Sequence, residues 1–557
     1  MALGRTWKAC AALTAAGGIC SADVDLVRDG KACSVIVVKK DAPAPLRFGA
    51  AELSRFLGKI AGGTPPAVAE RAVPGRNAVF IGTTADAGLV KESGIASGDL
   101  KEEGFAIAAG GNRVYVIGRD PRGALYGCYE ILKRHGGVRF LVPGDDGTYF
   151  TKKGTVSVPD GKQVSNPYLR VRSNVATDVE TYKWMVRNNM QPSAGSASFY
   201  NPRTGKRTAN ADLYESLTVE GVATYGNSHI LSNLLGGWDG RTIRKNMEKL
   251  YAEHPEYFPL IGGKRVMILS AESPNPCISN PALLDHMADN LYRRINVKHG
   301  TDTYVTIGNN DTPIWCECAK CNALDDPAMA GTKGAASNRY WYMVNEIARR
   351  IWAKNPKIKL GGWAYQNFWY PPTKVKIDPR LRVIISFNNQ CWRHAITDQS
   401  CSVNAELRKI MAMWAKTGLP LIVNRDEISA DGALASEYLP AEKVLYRNFL
   451  DYPSLGFSGS YFCVTGPFPP VLRWAKTRPP YFSRNLKWYA MWQTCYLSAV
   501  FMWDASRNYD ALYEEANALY YGKAWEGGFR EFRKLQQKAF YETPGCIGWG
   551  QGAPLGR

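Results

Sequence analysis

The sequence predicts an α/β protein in which a (β/α)8 barrel is preceded by a small α/β accessory domain and followed by a helical region. Three observations carry this. From about residue 167 onward, eight short apolar segments recur, separated by stretches long enough for a helix, the pattern of a parallel sheet closed on itself. These segments run into polar or aromatic residues, as in "YGNSH", "IGNND", "WAYQN", "SFNNQ" and "VNRDE", and strand C-terminal ends are where such a barrel carries its functional side chains. Before about residue 160, strand-like and helix-like runs alternate.

Taken in order, residues 1–22 carry Arg5 and Lys8, a small and apolar stretch from Ala9 to Ile19, and Cys20-Ser21-Ala22. Small residues at the last and third-last positions predict a secretory signal peptide cleaved after Ala22. The mature protein is therefore expected to be secreted or periplasmic. The accessory domain is expected over 24–160. Ser34 to Val38 is a β-branched strand, and Phe48, Ala51, Leu53, Phe56, Leu57 and Ile60 recur at helical spacing until Gly62-Gly63-Thr64-Pro65-Pro66 stops them. Ala78 to Gly82 is a short buried-type strand, and Phe105 to Ala109 with Val114 to Ile117 reads as a hairpin around Gly110-Gly111-Asn112. A helix is expected from Pro121 to Gly136-Gly137.

The barrel is expected over 167–504. Its strands are predicted at Leu169–Ser173, Trp184–Asn188, Gly221–Tyr225, Thr303–Ile307, Lys359–Ala364, Val383–Phe387, Pro420–Val423 and Gly459–Phe462. Trp341, Val344, Ile347, Ala348, Ile351 and Trp352 mark the best-defined intervening helix. Over 505–557 the pattern is helical, with Leu512, Ala516 and Leu519 on one face.

Composition narrows the class. The 557 residues are 45% apolar, with 69 Lys+Arg against 50 Asp+Glu and a formal charge of +19. Basic residues are dispersed, in no run longer than pairs such as Lys39-Lys40 and Lys152-Lys153. Nucleic-acid binding needs that charge on one face, so no nucleic-acid partner is expected. No segment after the leader reaches the roughly 18 apolar residues of a membrane span. Of 13 cysteines, 11 follow the leader, an odd number that leaves at least one unpaired within the chain.

The segment "RDPRGALYGCYEILKRHGGVRFLVPGDDGT" resembles the end of the N-terminal domain that precedes the barrel in α-glucuronidases and related hexosaminidases. Together, "HPEYFPLIGGKR", "CISNPALLDHMADNL" and "TIGNNDTPIWCECAKCNALD" resemble a bacterial family long called a domain of unknown function, some of whose members are endo-β-N-acetylglucosaminidases acting on N-glycans. The resemblance runs over about residues 30 to 525 and implies a barrel glycosidase. Where many members carry an acidic-Gly-Ser stretch after the cysteine block, this chain has "DDPAMAGTKGAAS", with Asp325 and Asp326 in part of that place and no Glu.

Glycosidic cleavage usually needs two carboxyl groups, and where a substrate acetamide is the nucleophile the second carboxylate positions and stabilises that amide. Asp311 ends "TYVTIGNND", and Asp426-Glu427 follow the strand Leu421 to Val423. These three are the candidate catalytic residues, and Asp311 is either the acid or the amide-orienting group. Turn capping for Asp311 and a solvated acidic loop beside Arg425 are the competing structural readings. His229, Asn309, Asn310, Trp315, Trp363, Tyr365 and Arg425 are the candidate substrate-binding residues: amides and imidazole for hydroxyls, aromatic faces for sugar rings. Cys316, Cys318 and Cys321 form C-x-C-x2-C with Cys277 upstream. Disulfides are the first reading in an exported protein, and a structural zinc on these four is the runner-up.

The expected function is hydrolysis of β-linked N-acetylglucosamine in glycans by an acetamide-assisted retaining mechanism, with a glycan partner, acidic or N-acetylated, and no cofactor. The alternatives are an α-glucuronidase-like exo-glycosidase on acidic glycans, a catalytically inactive carbohydrate-binding protein, and a metal-dependent enzyme. No P-loop, dinucleotide fingerprint, His-Glu-x-x-His or Gly-x-Ser-x-Gly motif is present.

Overall fold

A computed structural model describes residues 23–176, 179–194, 229–237, 242–270, 272–298, 304–387, 390–424, 438–461 and 486–547. The leader 1–22, the expected strand Gly221–Tyr225, and Arg425, Asp426 and Glu427 lie outside the described residues.

The accessory domain begins with β1 (Val24–Arg28), β2 (Ser34–Val37), α1 (Ala44–Ala61), β3 (Ala67–Ala69), β4 (Asn77–Thr83) and α2 (Ala87–Ser93). It continues with β5 (Phe105–Gly110), β6 (Arg113–Gly118), α3 (Pro121–Arg134), β7 (Val156–Val158) and β8 (Gly161–Ser165). Six strands form one sheet in the order β8-β5-β6-β4-β2-β3. β3, β2, β4 and β6 pair in parallel, while β5 and β8 join antiparallel through the hairpin. α1 and α3 cover one face. α3 starts where the sequence predicts, because Asp120 accepts the Gly123 N–H at 2.9 Å and Pro121 follows at the first helical position.

The barrel sheet contains β9 (Val171–Ala176), β10 (Gln191–Ala194), β11 (Tyr304–Ile307), β12 (Lys359–Ala364), β13 (Arg382–Ser386), β14 (Leu421–Asn424) and β15 (Phe457–Tyr461). All seven are parallel, in the order β10-β9-β15-β14-β13-β12-β11. The last strand, β15, pairs back onto the first, β9, and β10 and β11 are the two ends of the sheet among the described residues. β13 is buried at every position and β12 at all but its first, as both faces of a barrel strand must be. At β15 the register shifts against β14, and Gly459 (φ +156°) pairs with Val171 so closely that a Cβ would stand 2.0 Å from the Val171 carbonyl oxygen. Only glycine fits there.

One predicted strand is wrong. Trp184–Asn188 belongs to α4 (Val179–Arg187) and the turn after it, and the second strand is β10. α4 buries Tyr182, Trp184, Met185, Val186 and Arg187, and the apolar stretch Trp184–Val186 on which the strand expectation rested is too short to tell helix from strand by period.

The accessory domain docks at the start of β9 and β10. Glu103, 2% exposed, meets Arg122 at 2.5 Å, pairs with the fully buried Arg172 of β9 and accepts a bond from Gln191 of β10. Arg187 of α4 pairs with Glu52 of α1 at 2.8 Å. The strand C-terminal ends point away from this junction. The longer helices that follow, among the described residues, are α5 (Leu231–Gly236), α6 (Ile243–Glu253), α7 (Pro281–Lys298), α8 (Ser337–Lys354), α9 (Ala405–Ala415), α10 (Glu442–Asp451), α11 (Leu486–Trp503), α12 (Tyr509–Tyr521) and α13 (Arg530–Glu542). No described helix is long and apolar enough to cross a membrane.

Candidate active site

β11 and β12 pair in register, so the chain leaving each strand emerges at the same end of the barrel. Asp311 lies four residues beyond β11, and Tyr365 directly follows β12. Asp311 Oδ1 accepts the Tyr365 O–H at 2.9 Å and the Gln366 Nε2–H at 3.0 Å. Gln366 reaches it through a left-handed backbone (φ +48°), a conformation that costs a non-glycine residue energy and recurs where a side chain must be aimed. The other oxygen, Oδ2, faces His229 Nε2 at 3.9 Å. His229 Nδ1 lies 3.1 Å from the Asn309 carbonyl oxygen. A carbonyl only accepts, so Nδ1 is the ring nitrogen that donates there, and Nε2 is the one turned toward Asp311. Asp311 keeps 42% of its side chain exposed, open to a ligand. Glu272 is within electrostatic reach of His229, and its carboxyl is held below its ordinary value first by the Ser270 hydroxyl, with a smaller contribution from that histidine.

Four expected substrate-binding residues are buried. Asn309 and Asn310 are 1% and 0% exposed. Asn309 donates to the Asn310 carbonyl, and Asn310 donates to the Ser273 carbonyl at 2.9 Å, while its own N–H is accepted by Asn275 at 3.0 Å. Their amide N–H groups hydrogen-bond within the loop. Trp315, 6% exposed, packs edge-on against Phe368 at 6.1 Å and donates to Asn367 at 3.3 Å. Trp363 is likewise buried, at 7%. Tyr365 is the aromatic residue of the set that lines the site. Gln366 was not singled out from the sequence; its position immediately after an aromatic strand end was the available signal.

The loop carrying Asp311 is fastened by sulfur. The Sγ atoms of Cys277, Cys316, Cys318 and Cys321 lie within 4.8 Å of one another, with Cys277 at 3.6 Å from Cys318 and 4.0 Å from Cys321. Four thiolates around Zn2+ at about 2.3 Å stand about 3.8 Å apart at the tetrahedral edges, which these separations bracket. The four sulfurs converge on one point, and none is bonded to another in the structure. The Leu260 N–H donates to Cys316 Sγ at 3.3 Å, and the Cys277 thiol is held far below its ordinary value, chiefly by hydrogen bonds from Cys316 and Cys321. Asp325 and Asp326 are structural. Asp325 pairs with Arg339 of α8, and Asp326 accepts the Thr373 hydroxyl at 2.7 Å and the Ala328 N–H at 3.1 Å.

The family described as domain of unknown function DUF4838 matches residues 142–526. The chain belongs to this family. Residues 24–131 of this DUF4838 protein match the glycosyl hydrolase family 67 N-terminus. Its fold is similar to that of a family GH115 4-O-methyl-α-glucuronidase with specificity for decorated arabinogalactans, at 12% identity and TM-score 0.54, covering 93% of this chain and 62% of that one. A GH138 enzyme targeting pectin rhamnogalacturonan II matches at 14% identity and TM-score 0.48, covering 88% and 66%. A Streptomyces plicatus N-acetyl-β-hexosaminidase matches at 12% identity and TM-score 0.49, covering 90% and 92%. The chain thus spans less than two thirds of the length of the first two. No curated protein matches the chain.

Proposed function

We propose that this DUF4838 protein is an exported glycoside hydrolase that cleaves β-linked N-acetylglucosamine in glycans, with Asp311 at its reaction centre. One observation carries the reading: a part-exposed carboxylate at a barrel-strand C-terminal end, with one oxygen fixed by two donors and the other turned toward a histidine held by a backbone carbonyl. A carboxyl so held has one oxygen free to orient a substrate acetamide or to exchange a proton with the glycosidic oxygen. In the acetamide-assisted route the substrate carbonyl attacks its own anomeric carbon, the leaving oxygen takes a proton from the acid, and water opens the resulting ring with retention. Asp426 and Glu427 follow β14, three strands round the sheet from β11, and are the proposed partners of Asp311. The four-cysteine cluster is the proposed seat of a structural zinc that pins the Asp311 loop. The GH67-type N-terminus and the charge of +19 support a second reading, an exo-acting enzyme on uronic-acid glycans.

The test is mass-spectrometric product analysis of N-glycoproteins, mucin and glucuronoxylan treated with the protein lacking residues 1–22, beside Asp311→Asn. Glycans ending in one N-acetylglucosamine, absent with the variant, are the expected result. Free uronic acids would favour the second reading, and glycan binding without product would replace both with a binding protein.

A further inference from the structure

We propose a second metal site, in which Cys391, His394, Cys401 and Cys546 hold Zn2+ and fasten the C-terminal segment to a loop at the strand C-terminal end of the barrel. The four ligand atoms lie within 4.8 Å of one another. Cys391 Sγ is 3.4 Å and Cys546 Sγ 3.7 Å from His394 Nδ1, and Cys401 Sγ is 3.6 Å from Cys546 Sγ. A tetrahedral zinc with Zn–S near 2.3 Å and Zn–N near 2.0 to 2.1 Å sets S···S edges at about 3.8 Å and N···S edges at about 3.6 Å. All three separations lie within about 0.2 Å of those edges. A disulfide between Cys401 and Cys546 would use two of the four groups and give no reason for a third thiol and an imidazole to converge on the same point. Three thiols and one imidazole are a soft donor set that selects zinc over magnesium or calcium.

The surroundings hold the ligands in place without help from the sulfurs. Asn404, 1% exposed, accepts the Cys391 N–H at 2.8 Å, donates its amide to the His394 and Ala395 carbonyls, and gives its backbone N–H to Cys401 Sγ at 3.4 Å. The Asn404 side chain fixes the backbone of Cys391 and His394 and its backbone N–H meets the Cys401 sulfur, the supporting role that outer hydrogen bonds play around metal ligands. Cys546 is brought in from the far end of the chain by separate bonds. The Trp392 N–H donates to the Ile547 carbonyl at 2.7 Å, and Arg393 Nη1 donates to the Pro544 and Gly545 carbonyls. Cys391 and Cys401 are each 1% exposed, so a bound ion is shielded from water on the loop side. The consequence is a crosslink between the loop following β13 and the chain just beyond α13. This reading does not depend on the proposed glycosidase activity.

The experiment uses the full mature chain, purified without chelator, and measures zinc per chain together with iodoacetamide labelling read peptide by peptide. About two zinc ions per chain are expected, one for each cluster. Cys546→Ser and His394→Ala should each lose one ion, and His394→Cys should keep it. Cys391, Cys401 and Cys546 should label only after the metal is stripped, a readout on the unaltered chain that stands even where a variant fails to fold. Zinc content unchanged by Cys546→Ser, equal labelling of the three thiols before and after stripping, or a Cys401–Cys546 disulfide in the protein as isolated would each overturn the proposal.

Discussion

Replacing Glu442 with glutamine removes a carboxyl that the fold buries at a measurable cost. Glu442 opens α10 at 2% exposure. Its Oε1 accepts from Gln493 Nε2 and the Thr494 hydroxyl, each at 3.0 Å, and its Oε2 accepts from the Tyr438 hydroxyl at 3.3 Å. Burial outweighs these bonds and lifts the carboxyl from 4.5 to about 7. In the unfolded chain it ionises near its ordinary value. Between these two values the folded state therefore holds a proton the unfolded state has released, and stability falls as pH rises across that window. At about 1.4 kcal/mol per pH unit, the gap amounts to about 3 kcal/mol, absent below pH 4.5 and complete above pH 7. Glutamine carries no such dependence. Urea unfolding of both proteins from about pH 4 to pH 8 should show the variant gaining on the wild type by about 3 kcal/mol across the range. A difference that stays flat over that range would refute the argument, because it would mean that Glu442 ionises alike in both states.

Glu103→Ala leaves the buried Arg172 and Arg122 without their anion and should destabilise the chain by about 3 to 5 kcal/mol, visible in the urea midpoint. Tyr365→Phe deletes one of the two bonds to Asp311 Oδ1. A hydrogen bond to a charged group is worth about 1.5 to 3 kcal/mol, so kcat should fall roughly 10- to 100-fold with KM little changed. Cys318→Ser breaks the four-sulfur set; hydrogen exchange should rise over the segment bearing Asp311, and turnover should drop while the barrel stays folded by circular dichroism.

Much of the architecture was legible because barrel strands are buried on both faces and announce themselves as short apolar runs. β12 was predicted to the residue, and β11, β13 and β14 to within a residue at either end. α4 was missed because its apolar stretch Trp184–Val186 is too short to separate helix from strand by period alone. Asp311 was legible from its place after β11. The burial of Asn309, Asn310 and Trp315 was not, because a polar or aromatic residue in a loop looks the same whether it meets a ligand or its own neighbours.

The sequence by itself determined the class of the fold, the place of Asp311 just beyond a barrel strand, and the local spacing of Cys316, Cys318 and Cys321. Each of these is written within a few consecutive residues, where backbone geometry and hydrophobic period act. Only the tertiary structure decided that Gln366 and His229 serve Asp311, and that Cys546 meets Cys401 across 145 residues. Such meetings depend on how the strand ends and the chain terminus close in space, and no local periodicity encodes them.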